Sequence, residues 1–199
     1  MKSYLFLPVL VGIVLTAGFA DAQSPLDTPP GGATSDSSSV ANTSLLTNPE
    51  FVLATKDPTW PDDWGKGAGI SWETESGKHF LRLTSTEPGK MIMAYREMPI
   101  PAGVKTLQIT IRFRSTGVVA GEKNYMDARA IFHFLDASRK QVAGDPKTLD
   151  LTRNDGSWNT ATEQCVVPTG AATLVLMPSL FKVTAGTLDL GEVSVTAVN

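Results

Sequence analysis

The chain has 199 residues, 42% of them hydrophobic and 19% charged, and a formal net charge of −3 at pH 7. This length fits one globular domain with additional segments, and the mildly acidic charge gives no electrostatic basis for binding nucleic acid or anionic lipid. The single cysteine, Cys165, excludes an intrachain disulfide, so stability has to come from a hydrophobic core. Because Cys165 lies in the strand-like run EQCVVP, we expect a buried, unreactive thiol.

The first 22 residues have the pattern of a secretory signal peptide. Lys2 supplies a positive charge, residues 5–19 are almost entirely apolar, and Ala20-Asp21-Ala22 matches a small-x-small cleavage site. The apolar run is short for a membrane span, although an uncleaved anchor is the alternative. Residues 1–22 therefore predict a secreted or periplasmic protein with no membrane attachment after cleavage.

A linker is predicted to follow the signal peptide. Residues 23–44 are rich in Ser, Thr, Pro, Gly and Asp and contain no aromatic residue. Such a segment buries too little apolar surface to offset its ordering entropy, so we expect it to be disordered. Asn42-Thr43-Ser44 has the form of an N-glycosylation sequon. The ordered domain is expected to span residues 45–199.

Short extended segments alternate with turn-forming clusters and predict an all-β domain. Separators such as ESGK, TEPGK, RNDGS and VPTGA are rich in Gly, Pro, Asn and Asp. No segment has a sustained helical period, and LDASRKQVAG fits a turn between strands better than a turn of helix. About ten strands without a disulfide indicate an antiparallel β-sandwich of jelly-roll type. The predicted strands are residues 51–54, 69–73, 79–84, 91–98, 106–115, 128–135, 147–151, 163–167, 173–177 and 188–196.

Two of the predicted strands carry cations on their polar side. The stretch TLQITIRFRS places four large apolar residues on one side and Arg112 and Arg114 on the other. The stretch ARAIFHFL places its Ala and Phe residues toward the core and Arg129 and His133 on the opposite side. If both strands belong to one sheet, these four cationic residues share a face. That face is either a solvated sheet surface, which the spacing alone favours, or the floor of a binding cleft.

Several longer stretches occur in an order that carries a family resemblance. They are LLTNPEFVLATKDPTWPDDW, SGKHFLRLTS, MPIPAGVKTLQITIRFRSTG, ARAIFHFLDASRKQV, WNTATEQCVVPTGAATLVLMPSLF and GTLDLGEVSVT. In this order they resemble the strands of carbohydrate-binding modules appended to bacterial cellulases and xylanases. The resemblance covers residues 45–198, and no single motif in it is highly specific. It implies a galactose-binding-like jelly roll whose ligand is a polysaccharide or oligosaccharide.

The resemblance also implies a structural calcium near the first strand, as in many of these modules, but the sequence departs from their pattern. Val52 follows Phe51 where those modules have a glutamate, and a Gly-Glu pair stands in the last strand where they have two aspartates. Calcium takes about six to eight oxygen ligands. Glu50, Glu75 and Glu192 remain as candidate donors, and ordinary surface carboxylates are the alternative.

The four tryptophans are the first candidates for sugar recognition, because aromatic rings stack on the apolar faces of sugars. Trp60 and Trp64 lie in the turn-rich loop PTWPDDWG, where each is either a platform or a plug at the edge of the sandwich. Trp72 belongs to the core or to a cleft. Trp158 is expected to pack at the start of a strand.

Tyr125 and Arg129 are candidates for the mouth of a cleft, because Tyr125 directly precedes the strand that carries Arg129. A guanidinium presents several N–H donors in a fixed fork, which suits vicinal hydroxyls or a sugar carboxylate. The alternative for Arg129 is a weak ion pair with Asp127. The predicted ligand-binding residues are Arg129, Tyr125, Trp64, Trp60, Arg112 and His133.

Catalysis is not expected. Glycoside hydrolysis needs two carboxyl groups about 5–10 Å apart, whereas Asp62 and Asp63 of PDDW are adjacent and diverge on an extended chain. No G-x-S-x-G, H-E-x-x-H or Cys/His metal spacing occurs. The sequence predicts a secreted non-catalytic module that binds saccharide on one face. A structural or protein-interaction jelly roll without a sugar site is the alternative, and a glycoside hydrolase is a more distant one.

Overall fold

A computed structural model describes residues 44–198, which form two antiparallel β-sheets packed as a sandwich. Residues 1–43, which contain the predicted signal peptide, nearly all of the predicted linker and the sequon asparagine, lie outside the described residues. The secreted or periplasmic location therefore stays a prediction. Among the described residues, no helix has the length and apolar character needed to cross a membrane.

Eleven strands are present in residues 44–198. They are β1 (Ile70–Glu75), β2 (Lys78–Thr84), β3 (Ile92–Met93), β4 (Arg96–Pro99), β5 (Thr106–Val119), β6 (Ala128–Leu135), β7 (Gln141–Val142), β8 (Leu149–Asp150), β9 (Asn159–Val166), β10 (Thr173–Leu180) and β11 (Ala185–Ala197). The predicted all-β jelly-roll sandwich is confirmed.

The first sheet has the strand order β1-β2-β11-β5-β9. Its two longest strands, β5 and β11, lie side by side within the sheet. Phe113 of β5 pairs with Leu190 of β11, and Ile111 pairs with Val193, and all four side chains are completely buried. Alternation of branched or aromatic residues with polar ones gives each strand one core side and one outer side, which is why these segments form this sheet.

The second sheet has the order β3-β10-β6-β7, and β4 and β8 pair with β10 and β6. Strand β6 has the bounds that the sequence predicted, residues 128–135. Its Ala and Phe side chains are buried against the first sheet, whereas Arg129, Ile131, His133 and Leu135 lie on the outer side and are partly exposed. The period-two alternation therefore identified the core side of this strand correctly.

Arg112 and Arg114 do not share a face with Arg129 and His133, because the condition for this, that both strands belong to one sheet, is not met. Strand β5 pairs with β11 and β9 in the first sheet, whereas β6 pairs with β10, β7 and β8 in the second. The apolar sides of the two sheets pack on a common core, so their polar sides point away from each other. The two pairs of cationic residues therefore lie on opposite sides of the sandwich.

Three local predictions also differ from the structure. Residues 51–54 form a loop rather than a strand, and the predicted strand 91–98 is divided into β3 and β4. The two-residue strand β7 was not predicted, because two residues show no periodicity.

The turn after β6 is confirmed, since the Asp136 N–H donates to the Lys140 carbonyl at 2.8 Å.

Cys165 lies on the inner side of the edge strand β9, opposite Leu107. It is partly buried and packs against the core. Burial, reinforced by the negative charge of Glu163, raises the pKa of its thiol to about 11. The thiol is therefore protonated at neutral pH, as expected for an unreactive cysteine.

The loop that precedes β1 is held by buried polar side chains. Asn48 is 4% exposed, and its amide nitrogen donates to the carbonyls of Leu53 and Asp62 at 2.9 Å each. The Asp62 carboxylate accepts hydrogen bonds from the Thr55 N–H and hydroxyl and from the Lys56 N–H. These bonds take the place of a strand ladder for this segment.

Replacing Asp62 by Asn is expected to lower the free energy of unfolding at pH 7. Hydrogen bonds led by the Thr55 hydroxyl hold the pKa of Asp62 below its usual value of about 3.9. The stabilisation is therefore present above that pH and is lost as the pH falls through the lower folded-state value. Urea unfolding should show a large difference between wild type and Asp62→Asn at pH 7 and a smaller one near pH 2.5. An equal difference at both pH values would contradict this role.

Candidate ligand-binding faces

Trp60 and Trp64, each expected to be either a platform or a plug, do not lie on a surface. Their side chains are 7% and 4% exposed and belong to the core. The indole N–H of Trp60 donates to the Trp64 carbonyl at 2.8 Å, and that of Trp64 donates to the Asn48 carbonyl at 3.0 Å. The Trp64 ring also lies 4.8 Å from that of Phe51. Both indoles plug the edge of the sandwich, so in this conformation neither can stack on a sugar.

Trp72 is half-buried on the inner side of β1. Its indole N–H donates to the Phe51 carbonyl at 3.0 Å, and its ring stacks on the His79 imidazole with centroids 4.6 Å apart. It packs against the core rather than lining an open face.

Arg129 and Tyr125 do come together, at one end of the outer face of the six-stranded sheet. The Arg129 Nε donates to the Asp127 carboxylate at 2.6 Å, so the ion pair considered as an alternative is present. The guanidinium carbon also lies 6.0 Å from the ring centroids of both Tyr125 and Phe181. Tyr125 is 44% exposed. Within residues 44–198 only Nε of Arg129 forms a side-chain hydrogen bond, and the Arg129 side chain is 19% exposed.

Tyr95 lies on the same outer face, and sequence reasoning missed it. It is 38% exposed, and its hydroxyl donates to Glu97. Arg139 holds the same carboxylate through two bonds of 2.6 and 2.9 Å. Arg139 and Tyr95 together lower the pKa of Glu97 to about 2, and the bond to Glu97 raises the pKa of Tyr95. The only signal was a tyrosine in MAYREMP, within a segment predicted as one continuous strand.

His133 lies further along β6 and forms a polar cluster with Asp145 and Gln141. The His133 Nδ1 lies 2.8 Å from the Asp145 carboxylate, and the Gln141 amide lies 2.9 Å from the same nitrogen. Burial raises the pKa of Asp145, but hydrogen bonds from His133, the Phe134 N–H and Gln141 outweigh it and leave the pKa below its ordinary value. This cluster offers both donors and acceptors.

The strand register shows how these groups are arranged. Arg129 pairs with Ser179, Ile131 with Met177 and His133 with Val175, all on the outer side. Tyr95 precedes β4, whose first residue pairs with Leu176, so Tyr95 lies beside Met177. Arg129 and His133 are roughly 13 Å apart along β6. The face thus has an apolar middle bordered by cationic and hydrogen-bonding groups, and we call it the β6 face.

Arg112, the remaining predicted site residue, lies on the outer side of the five-stranded sheet. Its guanidinium carbon is 4.1 Å from the ring centroid of Trp158. Trp158 is partly exposed rather than fully packed, and with Arg112 it lines a cleft of about 280 Å³. The structure therefore brings Arg129, Tyr125 and His133 to one face and places Arg112 on the opposite one.

The three candidate calcium donors are not grouped around one point. Glu75 is bound by the Arg114 guanidinium at 2.9 Å, which with Trp158 lowers the pKa of Glu75. Glu50 and Glu192 line a neighbouring cavity of about 150 Å³, but Lys78 and Arg112 line it too. Within residues 44–198, no three His, Cys, Asp or Glu side chains are placed to hold a metal ion. A structural calcium at these residues stays a prediction.

Comparison with known proteins finds similarity in structure but not in sequence. No protein-family model and no curated protein matches the chain. The structure matches the CBM22-1 xylan-binding domain of Xyn10C from Paenibacillus barcinonensis with a TM-score of 0.50 and 16% identity, over 80% of this chain and 97% of that one. It matches TmCBM61 in complex with β-1,4-galactotriose with a TM-score of 0.50 and 9% identity, over 78% and 99% of the two chains.

A third match is the enzymatically active domain of tailspike protein 4 from bacteriophage CBA120, with a TM-score of 0.55 and 12% identity. It covers 78% of this chain but only 21% of the tailspike chain. The two structures that this chain spans almost completely are carbohydrate-binding modules. The resemblance predicted from the sequence is therefore confirmed for the fold, which is the jelly roll of these modules.

Replacing Glu97 by Gln is expected to lower the phenol pKa of Tyr95 toward its usual value of about 10, because the charged hydrogen-bond acceptor that raises it is removed. Absorbance of the phenolate during an alkaline titration measures the change. Glu87→Gln is the control, since the carboxylate of Glu87 contacts Lys90. The melting temperature should change little, because exposed ion pairs contribute little to stability. Identical titration curves for Glu97→Gln and wild type would refute the contact.

Proposed function

We propose that the domain binds a polysaccharide or oligosaccharide on the β6 face without cleaving it. The observation that carries this proposal is the exposure of two tyrosines, Tyr95 and Tyr125, on a face that also presents Arg129 and His133. Exposed aromatic rings combined with fixed polar groups are the combination that recognises sugars.

The chemistry of the β6 face supports this ligand class. A tyrosine ring stacked on the apolar side of a pyranose removes apolar surface of both partners from water. The Nη groups of Arg129 can donate hydrogen bonds, and the His133–Asp145–Gln141 cluster can both donate and accept them. Since each contact is modest, several sugar units have to be bound at once, and the spacing along β6 allows this.

The structural neighbours support the same class of ligand. One is described as a xylan-binding domain and another was solved in complex with β-1,4-galactotriose. Sequence identities of 16% and 9% carry no residue correspondence, so the particular glycan has to be found by experiment.

The second candidate function is a protein-interaction surface, which two observations favour. Trp60 and Trp64 are buried, and Arg129 and Arg139 are both ion-paired, as on an ordinary polar surface. A hydrolase finds less support. The Asp62 carboxylate is used in hydrogen bonds to Thr55 and Lys56, and the Asp63 carboxylate contacts Lys56 and Thr47, so both support the loop.

Arg129→Ala is expected to weaken saccharide binding about tenfold or more, because a charged hydrogen bond contributes roughly 1.5–3 kcal/mol. Tyr125→Ala is expected to weaken the same binding, because it removes a stacking surface for the sugar. The measurement is retention of the purified chain on insoluble xylan, cellulose, chitin and mannan, followed by calorimetric titration with oligosaccharides of any polymer that retains it. Calcium and a chelator are compared in the same series.

Arg153→Ala is the matched control, since the Arg153 side chain is exposed and its backbone N–H binds Ser115 of β5, in the other sheet. Circular dichroism and the melting temperature verify that each variant folds. Absence of wild-type binding to every polymer and its oligosaccharides would overturn the proposal and favour a protein partner.

A further inference from the structure

The outer face of the five-stranded sheet is organised around a buried carboxylate. Asp189 is 2% exposed and accepts two hydrogen bonds from Arg82, at 2.7 and 2.9 Å. Arg114 binds the same carboxylate at 2.7 and 2.8 Å and continues to Glu75 at 2.9 and 3.1 Å. A buried charge held by two guanidiniums fixes their positions, and an ordinary solvated sheet surface does not need such a network.

Aromatic rings lie against this network. Phe80 is on the outer side of β2 yet only 4% exposed. The ring of Trp158 meets it edge-on with centroids 5.7 Å apart, and the guanidinium carbons of Arg82 and Arg114 lie 5.3 and 5.6 Å from it. Trp158 is in turn supported by Arg112 and Arg114, at 4.1 and 4.6 Å from its ring centroid. The indole is thus held in one place while still partly exposed.

The backbone of β11 makes room for this arrangement. The register between β11 and β5 shifts between Leu190 and Glu192, as at a β-bulge. Gly191 occupies this position, and a Cβ atom there would lie 2.5 Å from an Arg112 Nη and 2.8 Å from the Trp158 ring. A side chain at this position would require Arg112 and Trp158 to move. The glycine thus leaves the space that the Arg112–Trp158 pair occupies.

The groups around Trp158 are open to a ligand. Arg112 makes no hydrogen bond or ion pair with another side chain within residues 44–198, although it stacks on Trp158. The cleft of about 280 Å³ beside Trp158 and the cavity of about 150 Å³ next to it share Lys78, His79 and Arg112 in their walls. We call the two together the Trp158 cleft.

We propose that the Trp158 cleft is a second saccharide-binding site, on the side of the sandwich opposite the β6 face. A sugar ring stacks on the exposed part of the Trp158 indole, and Arg112 and Lys78 donate hydrogen bonds to its hydroxyls. Glu75 and the carboxylates of the neighbouring cavity accept hydrogen bonds from other hydroxyls.

The charges in the cleft determine the class of ligand. An anion would meet Glu50, Glu75 and Glu192, and a cation would meet Arg112 and Lys78. A neutral sugar has hydroxyls that both donate and accept, so it can satisfy both sets of groups. The ligand assigned here is therefore a neutral oligosaccharide, and the site does not depend on the β6 face.

The test is calorimetric titration of wild type, Arg129→Ala, Arg112→Ala and the double variant with neutral xylo-, cello-, manno-, chito- and galacto-oligosaccharides. Tryptophan fluorescence is followed in parallel. Comparison with Trp158→Phe identifies the part of the ligand-induced fluorescence change that comes from Trp158. We expect Arg129→Ala to retain saccharide binding, and this binding should change the fluorescence emission of Trp158. Arg112→Ala should weaken this binding at least tenfold. Lys78→Ala, which leaves the Arg112–Trp158 pair intact, should weaken the same binding if Arg112→Ala folds poorly. Arg153→Ala is the control.

The outcomes separate the two sites. If Arg129→Ala completely abolishes the binding seen with wild type, the proposal of a site in the Trp158 cleft is overturned and the site on the β6 face is retained. If Arg112→Ala and Lys78→Ala abolish binding, and Arg129→Ala and Tyr125→Ala leave it unchanged, the result supports the site in the Trp158 cleft. The same result overturns the proposed site on the β6 face. Wild type that binds none of the oligosaccharides overturns both.

Discussion

The long antiparallel ladder between β5 and β11 is the constraint on which the rest of the structure depends. Its inner side supplies buried pairs such as Phe113–Leu190, which join the five-stranded sheet to the core. Its outer side places Arg114 directly opposite Asp189. Because the side-chain period of a strand is two, one register determines both the core contacts and the charge network, and a slip by one residue would bury the charges and expose the core.

Period-two patterning predicted most of the longer strands but not their partners. The alternation of Ala and Phe with Arg129 and His133 identified β6 and its core side from local information alone. Which sheet a strand joins depends on pairing with residues far away in sequence, here β10 rather than β5, and no local period reports it. The sequence alone therefore left open whether Arg112 and Arg129 share a face, and the strand pairing places them on two.

The candidate sites show a similar limit. The composition of PTWPDDWG marks a loop correctly, but the direction of Trp60 and Trp64 depends on backbone carbonyls that accept their indole N–H groups. Tyr95 could not be found because it lies between two short strands where the alternation is interrupted. Trp158 lies over Gly191, where the register of β11 with β5 shifts, and this depends on a pairing that the sequence does not report.

Because the two outer faces of the sandwich point in opposite directions, the physical form of a glycan determines how many faces it can contact at once. Two packed sheets are about 10 Å apart, and their outer sides point in opposite directions. A flat crystalline polymer surface can touch only one of these sides at a time, so the other remains in water. A short soluble chain can reach either side. If both proposed sites bind the same polysaccharide, a crystalline surface can therefore occupy one of them at a time, whereas dissolved chains can occupy both.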